Sequence, residues 1–500
     1  MESYKTLEKI FYKINDLRQT QAVLHWDTAT IMPVGGADAR SEQLATIESI
    51  QHALITDESI NELILDAESK LDSLNPWQKS NVIEMRRRWK HASAVPQKLL
   101  KEFVKAGSKC EMVWRSAKVD NDFKQLVPAL KKVVNLVREI ATIKSKTFGC
   151  DQYTALLDQY DPGRTTQDLE LVFEDLKQFV PGFIAEVIEK QKSRSQLLPL
   201  QGNFPMEKQK RLAKEIMKIL GFNFNYGRLD ESRHPFCGGY PSDIRITTRY
   251  DESNLIPGMM GIFHETGHAL YEDGLPRSLR GQPVGEARGM SVHESQSLFM
   301  EMQVCRSRSF LKYFLPMVKQ EFNVDGAQWE VDNVYNSVTK VQPSFIRVDA
   351  DEVTYPAHIL LRYYMEKYLV SGEMEVEDLP DAWDQGMERF LGIRPSSDKE
   401  GCMQDIHWMD GTFGYFPSYT IGAIYAAQIA KAIKADKPNF YSDIEQGKFS
   451  VIKKWLGVNI HENGSKFSTS ELIKQATGSE LDITAYKDHL KHRYLDEQEG

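Results

Sequence analysis

Apolar residues recur along this chain at helical spacing almost from its start. Tyr4, Leu7, Phe11 and Ile14 fall on one face of a helix. Thr165 and Thr166 stand ahead of Leu169, Val172, Phe173 and Leu176, the pattern of an N-capped amphipathic helix running toward Pro181. Thr354 and Pro356 open another helix through Leu360 and Tyr364. Ile421 to Ile433 is rich in alanine with one glycine, as in a helix packed closely on its neighbours. No fixed-period repeat stands out, which disfavours a helical solenoid. The chain reads as mostly α.

One stretch departs from this. Gly238-Gly239-Tyr240-Pro241 has turn chemistry, and Ile244 to Tyr250 alternates with β-branched residues, which predicts a short strand in a small sheet. Breaks fall at Ser193 to Pro205 and at Gly392 to Gly401, and neither is long enough to demand separate domains. A single unit over 1–500 is expected, with two helical lobes parting near 193–205 as its possible subdivision.

Composition places the chain among ordinary globular proteins, at 41% hydrophobic and 27% charged residues. The net charge of −9 argues against nucleic acid or an anionic membrane as partner. The one dense basic run, Arg86-Arg87-Arg88, stands beside Glu84 and reads as a solvated helix face. No stretch has the length of a spanning helix. The charged start, Met1-Glu2-Ser3-Tyr4-Lys5, lacks the apolar region of a signal peptide. Cys110, Cys150, Cys237, Cys305 and Cys402 are odd in number and without C-x-x-C spacing, which suits reduced thiols in a cytoplasmic protein. Cys237 and Cys305 lie near the candidate site in sequence and are read as bystanders rather than ligands.

The chemistry is concentrated in Ile256 to Tyr271. Within this helical segment His264-Glu265-Thr266-Gly267-His268 reads H-E-x-x-H. Helical spacing sets the two histidines one turn apart on one face, where they can grip a single metal ion. Glu265 is placed to take a proton from water rather than to ligate. Catalytic zinc sites use three protein ligands, so a third donor is required. Glu294, in His293-Glu294-Ser295-Gln296, is the favoured candidate, and His293 is its rival. Neighbours on a helix point about 100° apart, so one of the two faces the metal. Glu286 and Glu301 are weaker candidates. With such a set the reaction is amide hydrolysis without a covalent enzyme intermediate.

Several further motifs accompany this one in order: His234-Pro235-Phe236, Asp243-Ile244-Arg245-Ile246-Thr247, and His293-Glu294-Ser295-Gln296. Ile346-Arg347-Val348-Asp349-Ala350-Asp351, Gln404-Asp405-Ile406-His407-Trp408 and Gly411 to Pro417 follow, and Trp26-Asp27, Met32-Pro33 and Arg40 precede. Together they resemble the carboxypeptidase Taq family of zinc metallocarboxypeptidases over nearly the whole chain. The resemblance implies a large helical, neurolysin-like zincin fold with a deep active-site groove and a small β-sheet. It implies release of single residues from peptides with a free C-terminus, with broad specificity and proline at the terminal or penultimate position as the exception. It also implies a homodimer. Zinc is the expected metal, with cobalt or manganese as alternatives for a His-His-Glu set.

Recognition of a terminal carboxylate suits the fork of an arginine. Arg347 is the first choice, with an ion pair to Asp349 or Asp351 as its competing reading. Arg245 and Arg249 share a face of the predicted strand and come next, and Arg245 serves equally well as a partner of Asp243. His407 or Tyr415 is expected to hydrogen-bond the oxyanion. A His-Trp pair alone reads as core, and the resemblance reverses that. Asp405 is read as the acceptor that orients an imidazole. His234 is assigned to substrate, with capping of the strand region as the alternative. The strand offers an edge to which extended peptide could add. His358, Arg362 and Glu366 form a polar stripe that either lines the cleft or makes an ion-pair ladder. The rival functions are a zinc oligoendopeptidase or dipeptidyl carboxypeptidase and, from another class, an inactive helical binding protein.

Overall fold

The helix Glu2–Thr30 buries Tyr4, Leu7, Phe11 and Ile14 on the face that their spacing predicts. The structure, a computed structural model, describes residues 2–194 and 196–496. It is 71% helical with one three-stranded sheet, so the mostly α reading holds. Thr165 caps its helix in a reciprocal box with Asp168. That helix runs through Pro181 to Gln191, beyond the expected stop. Proline in a helix interior costs about 3 kcal/mol. Val180, Phe183, Ile184 and Val187, all buried in the main core, outweigh it.

The sheet has the order β1 (Gly227–Glu231), β3 (Asp243–Thr248), β2 (Phe236–Tyr240), with β1 parallel and β2 antiparallel to β3. Ile244 and Ile246 face the core, as their alternation requires. Gly238 and Gly239, expected in a turn, belong to β2. Because β3 is central, both its edges are already paired, and a peptide cannot add there. The edges are β1 and β2, and residues Cys237 to Tyr240 of β2 line a cleft.

Residues 196–205 are irregular, while Ser195 lies outside the described residues. Main-core residues such as Ile184 and Leu212 stand on either side of this stretch, and Phe204 within it belongs to the same core. The N-terminal helices, Glu2–Thr30, Ala37–Ile55, Glu58–Ser69 and Pro76–Ala94, have a small core of their own around Leu7, Ile64 and Met85. Polar ties join them to the rest. Asn15, Arg18 and Arg88 converge on Glu286, and Arg288 donates to Glu84 at 2.6 Å. The basic run is therefore not a solvated face: Arg86 pairs with Glu68, Arg87 with Glu84 and Arg88 with Glu286. Partners distant in sequence make Arg86 and Arg88 structural, and Arg87, besides its neighbour Glu84, donates to the Asp158 carbonyl. Among the described residues, no helix is long and apolar enough to cross a membrane.

Candidate active site

The helix Leu255–Gly274 carries His264, Glu265 and His268, and the helix Gly289–Leu298 carries Glu294. These two helices approach closely because Gly267 lacks a side chain: a Cβ there would fall 2.6 Å from the Ser297 Cα. A third helix, Pro417–Asp436, backs the other side. A Cβ on its Gly422 would sit 2.8 Å from both Cβ and Cγ of Glu294. Small residues thus set how closely the helices bearing His264, His268 and Glu294 approach.

The structure brings His264, His268 and Glu294 together, with one candidate ligand atom from each inside a 4.8 Å span. One Glu294 oxygen lies 3.9 Å from His264 Nε2 and 3.5 Å from His268 Nε2. The other ring nitrogens are occupied elsewhere. His264 Nδ1 meets Glu301 at 2.9 Å, and His268 Nδ1 meets the His293 carbonyl at 3.1 Å. Such partners orient a metal-binding imidazole. The third-ligand helix runs on into a π-helical turn, Phe299–Cys305, which presents Glu301 to His264. Arg306 holds the other Glu301 oxygen at 2.7 Å.

His293 does not join the cluster. Its Nε2 meets Glu272 at 2.9 Å and its ring stacks on His268. Cys237 and Cys305 stay outside as well. Glu286 belongs to the arginine pair described above.

The residues fit a divalent cation. Burial opposes a charged imidazole, yet Glu294 and Glu301 push His264 up to about 10. Burial likewise opposes the Glu294 carboxylate, and His264 and His268 hold it down to about 2. A buried place that demands positive charge is a cation site in its electrostatics. Glu265, pushed up to about 7 by burial, has one oxygen buried without a hydrogen-bond partner.

Arg347 is buried beyond this cluster. It donates through Nε and Nη2 to Asp405 at 3.2 and 2.8 Å and through Nη1 to Tyr355 at 2.6 Å. These bonds use three of the five guanidinium N–H groups. Its ion-pair partner is Asp405, not Asp349 or Asp351; Asp351 accepts backbone N–H groups of Gln342, Val353 and Thr354. Asp405 in turn engages no imidazole and bridges Arg347 to Arg362.

His407 and Tyr415 lie 5.8 Å apart, ring to ring. Burial lowers His407 to about 4, so its ring is neutral near pH 7, and its Nδ1 is buried without a partner. Burial, helped by the Glu294 charge, raises the Tyr415 phenol. Tyr355 and Tyr419 also feel Glu294. Sequence reasoning missed these two tyrosines, for which only proximity to the I-R-x-x-A-D and G-Y-F-P stretches was a signal.

His234 and Arg245 are placed elsewhere. His234 is exposed between β1 and β2, and only its carbonyl is engaged, by Ser232. Arg245 pairs with Asp243 at 2.7 Å and lies 4.3 Å over the ring of Trp26. It ties the first helix to the sheet. Arg249 is exposed past the end of β3.

A cleft of about 870 Å³ runs between the N-terminal helices and this assembly. Its lining includes His293, whose ring stacks on His268, and Tyr160, whose ring lies 5.2 Å from Tyr415.

Comparison with known proteins agrees across the chain. The model of the carboxypeptidase Taq (M32) metallopeptidase family matches residues 6–494. Carboxypeptidase 1 of Bacillus subtilis is 35% identical over 496 residues, 98% of each chain. Among solved structures, Trypanosoma cruzi metallocarboxypeptidase 1 superposes with a TM-score of 0.97 at 38% identity, covering 99% of this chain and 100% of its own. An M32 carboxypeptidase from Deinococcus radiodurans R1 gives 0.94 at 32% identity, with 99% of each covered.

Proposed function

The chain belongs to the carboxypeptidase Taq (M32) family of metallopeptidases, and on that footing we propose a zinc-dependent carboxypeptidase that releases single residues from peptides with broad specificity. It is a peptide hydrolase by its family. The observation that carries the reading is the cluster of buried His268 with half-buried His264 and Glu294, with the unpartnered oxygen of Glu265 nearby. A divalent cation held by those three residues supplies, when bound, a more acidic water and a Lewis acid for the scissile carbonyl.

The remaining work falls to the chain. Glu265 takes the proton of the attacking water and returns it to the leaving nitrogen. Its raised pKa, about 7, suits a group that must accept and release a proton near neutrality. The His407 imidazole, neutral and with a free ring nitrogen, and the Tyr415 hydroxyl donate to the developing oxyanion. Arg347 binds the terminal carboxylate through the N–H groups that Asp405 and Tyr355 leave free. Asp405 and Tyr355 fix the plane of that guanidinium before substrate arrives. Substrate backbone can pair along the outer edge of β2, which tolerates many sequences.

Cobalt or manganese would suit the same ligands. A homodimer in the cytoplasm completes the proposal, and sedimentation at working concentration tests the dimer. The central test is digestion of one peptide with free and amidated ends, using chelated protein reloaded with zinc or cobalt. A one-residue ladder from the free acid alone is expected. Equal cleavage of both peptides would point to an endopeptidase, and two-residue steps to a dipeptidyl carboxypeptidase. No cleavage with metal bound would leave a binding protein.

A further inference from the structure

Glu366 is a fully buried carboxylate on the helix Tyr355–Ser371, outside the metal cluster. It belongs neither to a cleft-lining stripe nor to an ion-pair ladder. Of its former companions, Arg362 is committed to Asp405, and His358 is buried with both ring nitrogens unpartnered. Glu366 instead accepts three hydrogen bonds. One oxygen takes Tyr153 Oη at 2.7 Å and the Gly414 N–H at 3.0 Å. The other takes Trp408 Nε1 at 3.0 Å.

Two of those donors are informative by position. Trp408 follows His407, and Gly414 precedes Tyr415. One carboxylate therefore grips the loop next to each of its two polar groups. The loop is compact between these points, since Thr412 N–H donates to the His407 carbonyl and its hydroxyl to Asp410. Gly414 has φ +89°, and a Cβ there would lie 3.0 Å from the Leu157 nitrogen, so the backbone has little room to move. Burial pushes Glu366 up to about 7 against its three hydrogen bonds, so burying an acid here carries an energetic cost. An apolar residue of similar size would fill the space without that cost, but it would not hold the loop.

We propose that Glu366 is a positioning residue for the hydrolysis: by holding Trp408 and Gly414 from one buried point, it sets where His407 and Tyr415 stand over the reacting carbonyl. The inference rests on the proposed roles of His407 and Tyr415. The indole and backbone N–H groups fall on different oxygens and need an acceptor at each, which a carboxyl group supplies. A glutamine that keeps Tyr153 and Gly414 turns its NH2 against the indole N–H, and the flipped amide turns it against the Gly414 N–H.

Steady-state kinetics on zinc-loaded protein test this, alongside metal content and melting temperature. Glu366→Gln should lower kcat about 10- to 100-fold while KM stays within about twofold. Trp408→Phe removes the opposed donor, so Glu366→Gln with Trp408→Phe should recover kcat beyond the product of the single effects. Should Glu366→Gln fail to fold, Tyr153→Phe removes one donor from the anchor and should lower kcat with KM unchanged. The inference is overturned if kcat stays within about twofold in Glu366→Gln, or in Tyr153→Phe where only that variant folds, or if the double variant is merely multiplicative. His407→Ala and Tyr415→Phe separate the two levels. If they keep full kcat, the oxyanion reading fails; if they lose it and Glu366→Gln does not, only the anchor fails.

Discussion

The two sides of the cleft hold together by different means. On the metal side, helices meet at Gly267 and Gly422 within one continuous apolar core. Across the cleft, the N-terminal helices keep a small core of their own and reach the body through Glu286, Glu84 and Trp26. Dense packing fixes position to fractions of an ångström and is insensitive to pH. Ion pairs are directional, titratable and can be broken singly. The reacting groups sit where geometry must not drift, and the opposite wall uses the softer kind of joint.

The contrast is tested most severely at Glu265. Glu265→Gln should leave metal content unchanged by mass spectrometry while kcat falls about 10²- to 10⁴-fold. Full turnover in that variant would remove Glu265 from the chemistry. Next is Gly267→Ala. In an open helix this change stabilises by about 0.5–1 kcal/mol. Here the new methyl collides with the backbone of the third-ligand helix, so we expect a loss of about 1–3 kcal/mol in denaturant titration and weaker zinc binding. A neutral or stabilised variant would mean that the helix contact is slack.

The opposite wall should respond differently. Glu286→Gln strands Arg18 and Arg88 and should cost about 1–2 kcal/mol, with faster hydrogen exchange in residues 2–94 and unchanged zinc affinity. Exchange that rises equally throughout the chain would contradict separate joints. Acid should act on the same bond. Burial opposes the Glu286 charge, but Arg18 and Arg88 hold its pKa down to about 2. Its contribution is therefore complete above its ordinary value of 4.5 and is lost as pH falls from there toward 2. Pepsin cutting first among the N-terminal helices in that window is the expected result. The smallest effect belongs to Arg245→Lys, which weakens the stack on Trp26 by about 0.5–1 kcal/mol. KM should not change, and a large rise would return Arg245 to the substrate.

The helical fold and the facing of His264 and His268 were legible because they rest on local periodicity: H-E-x-x-H needs only one helical turn to align its histidines. The choice between His293 and Glu294 was not settled by spacing, since it depends on Glu272 lying ready to hold His293. β3 was readable from its alternation, while β1 and the glycine-bearing β2 carry no such signal. The acid partners of the arginines were misread for one reason. Arg88 and Arg347 find their acids 198 and 58 residues away, and no local pattern announces a partner at that distance. Arg245 was drawn toward substrate by the alternation of its strand and pairs instead with Asp243 and Trp26, while Ser232 engages the carbonyl of His234.

Gly422 has a consequence for how such a protein tolerates change. It carries no reactive group, yet every other amino acid at this position would intrude on Glu294. A saturation screen scored on peptide cleavage would return it among the most intolerant sites, indistinguishable from the ligands by phenotype. Selection would be acting there on the absence of a methyl group, so intolerance to replacement in that helix marks steric permission rather than chemistry.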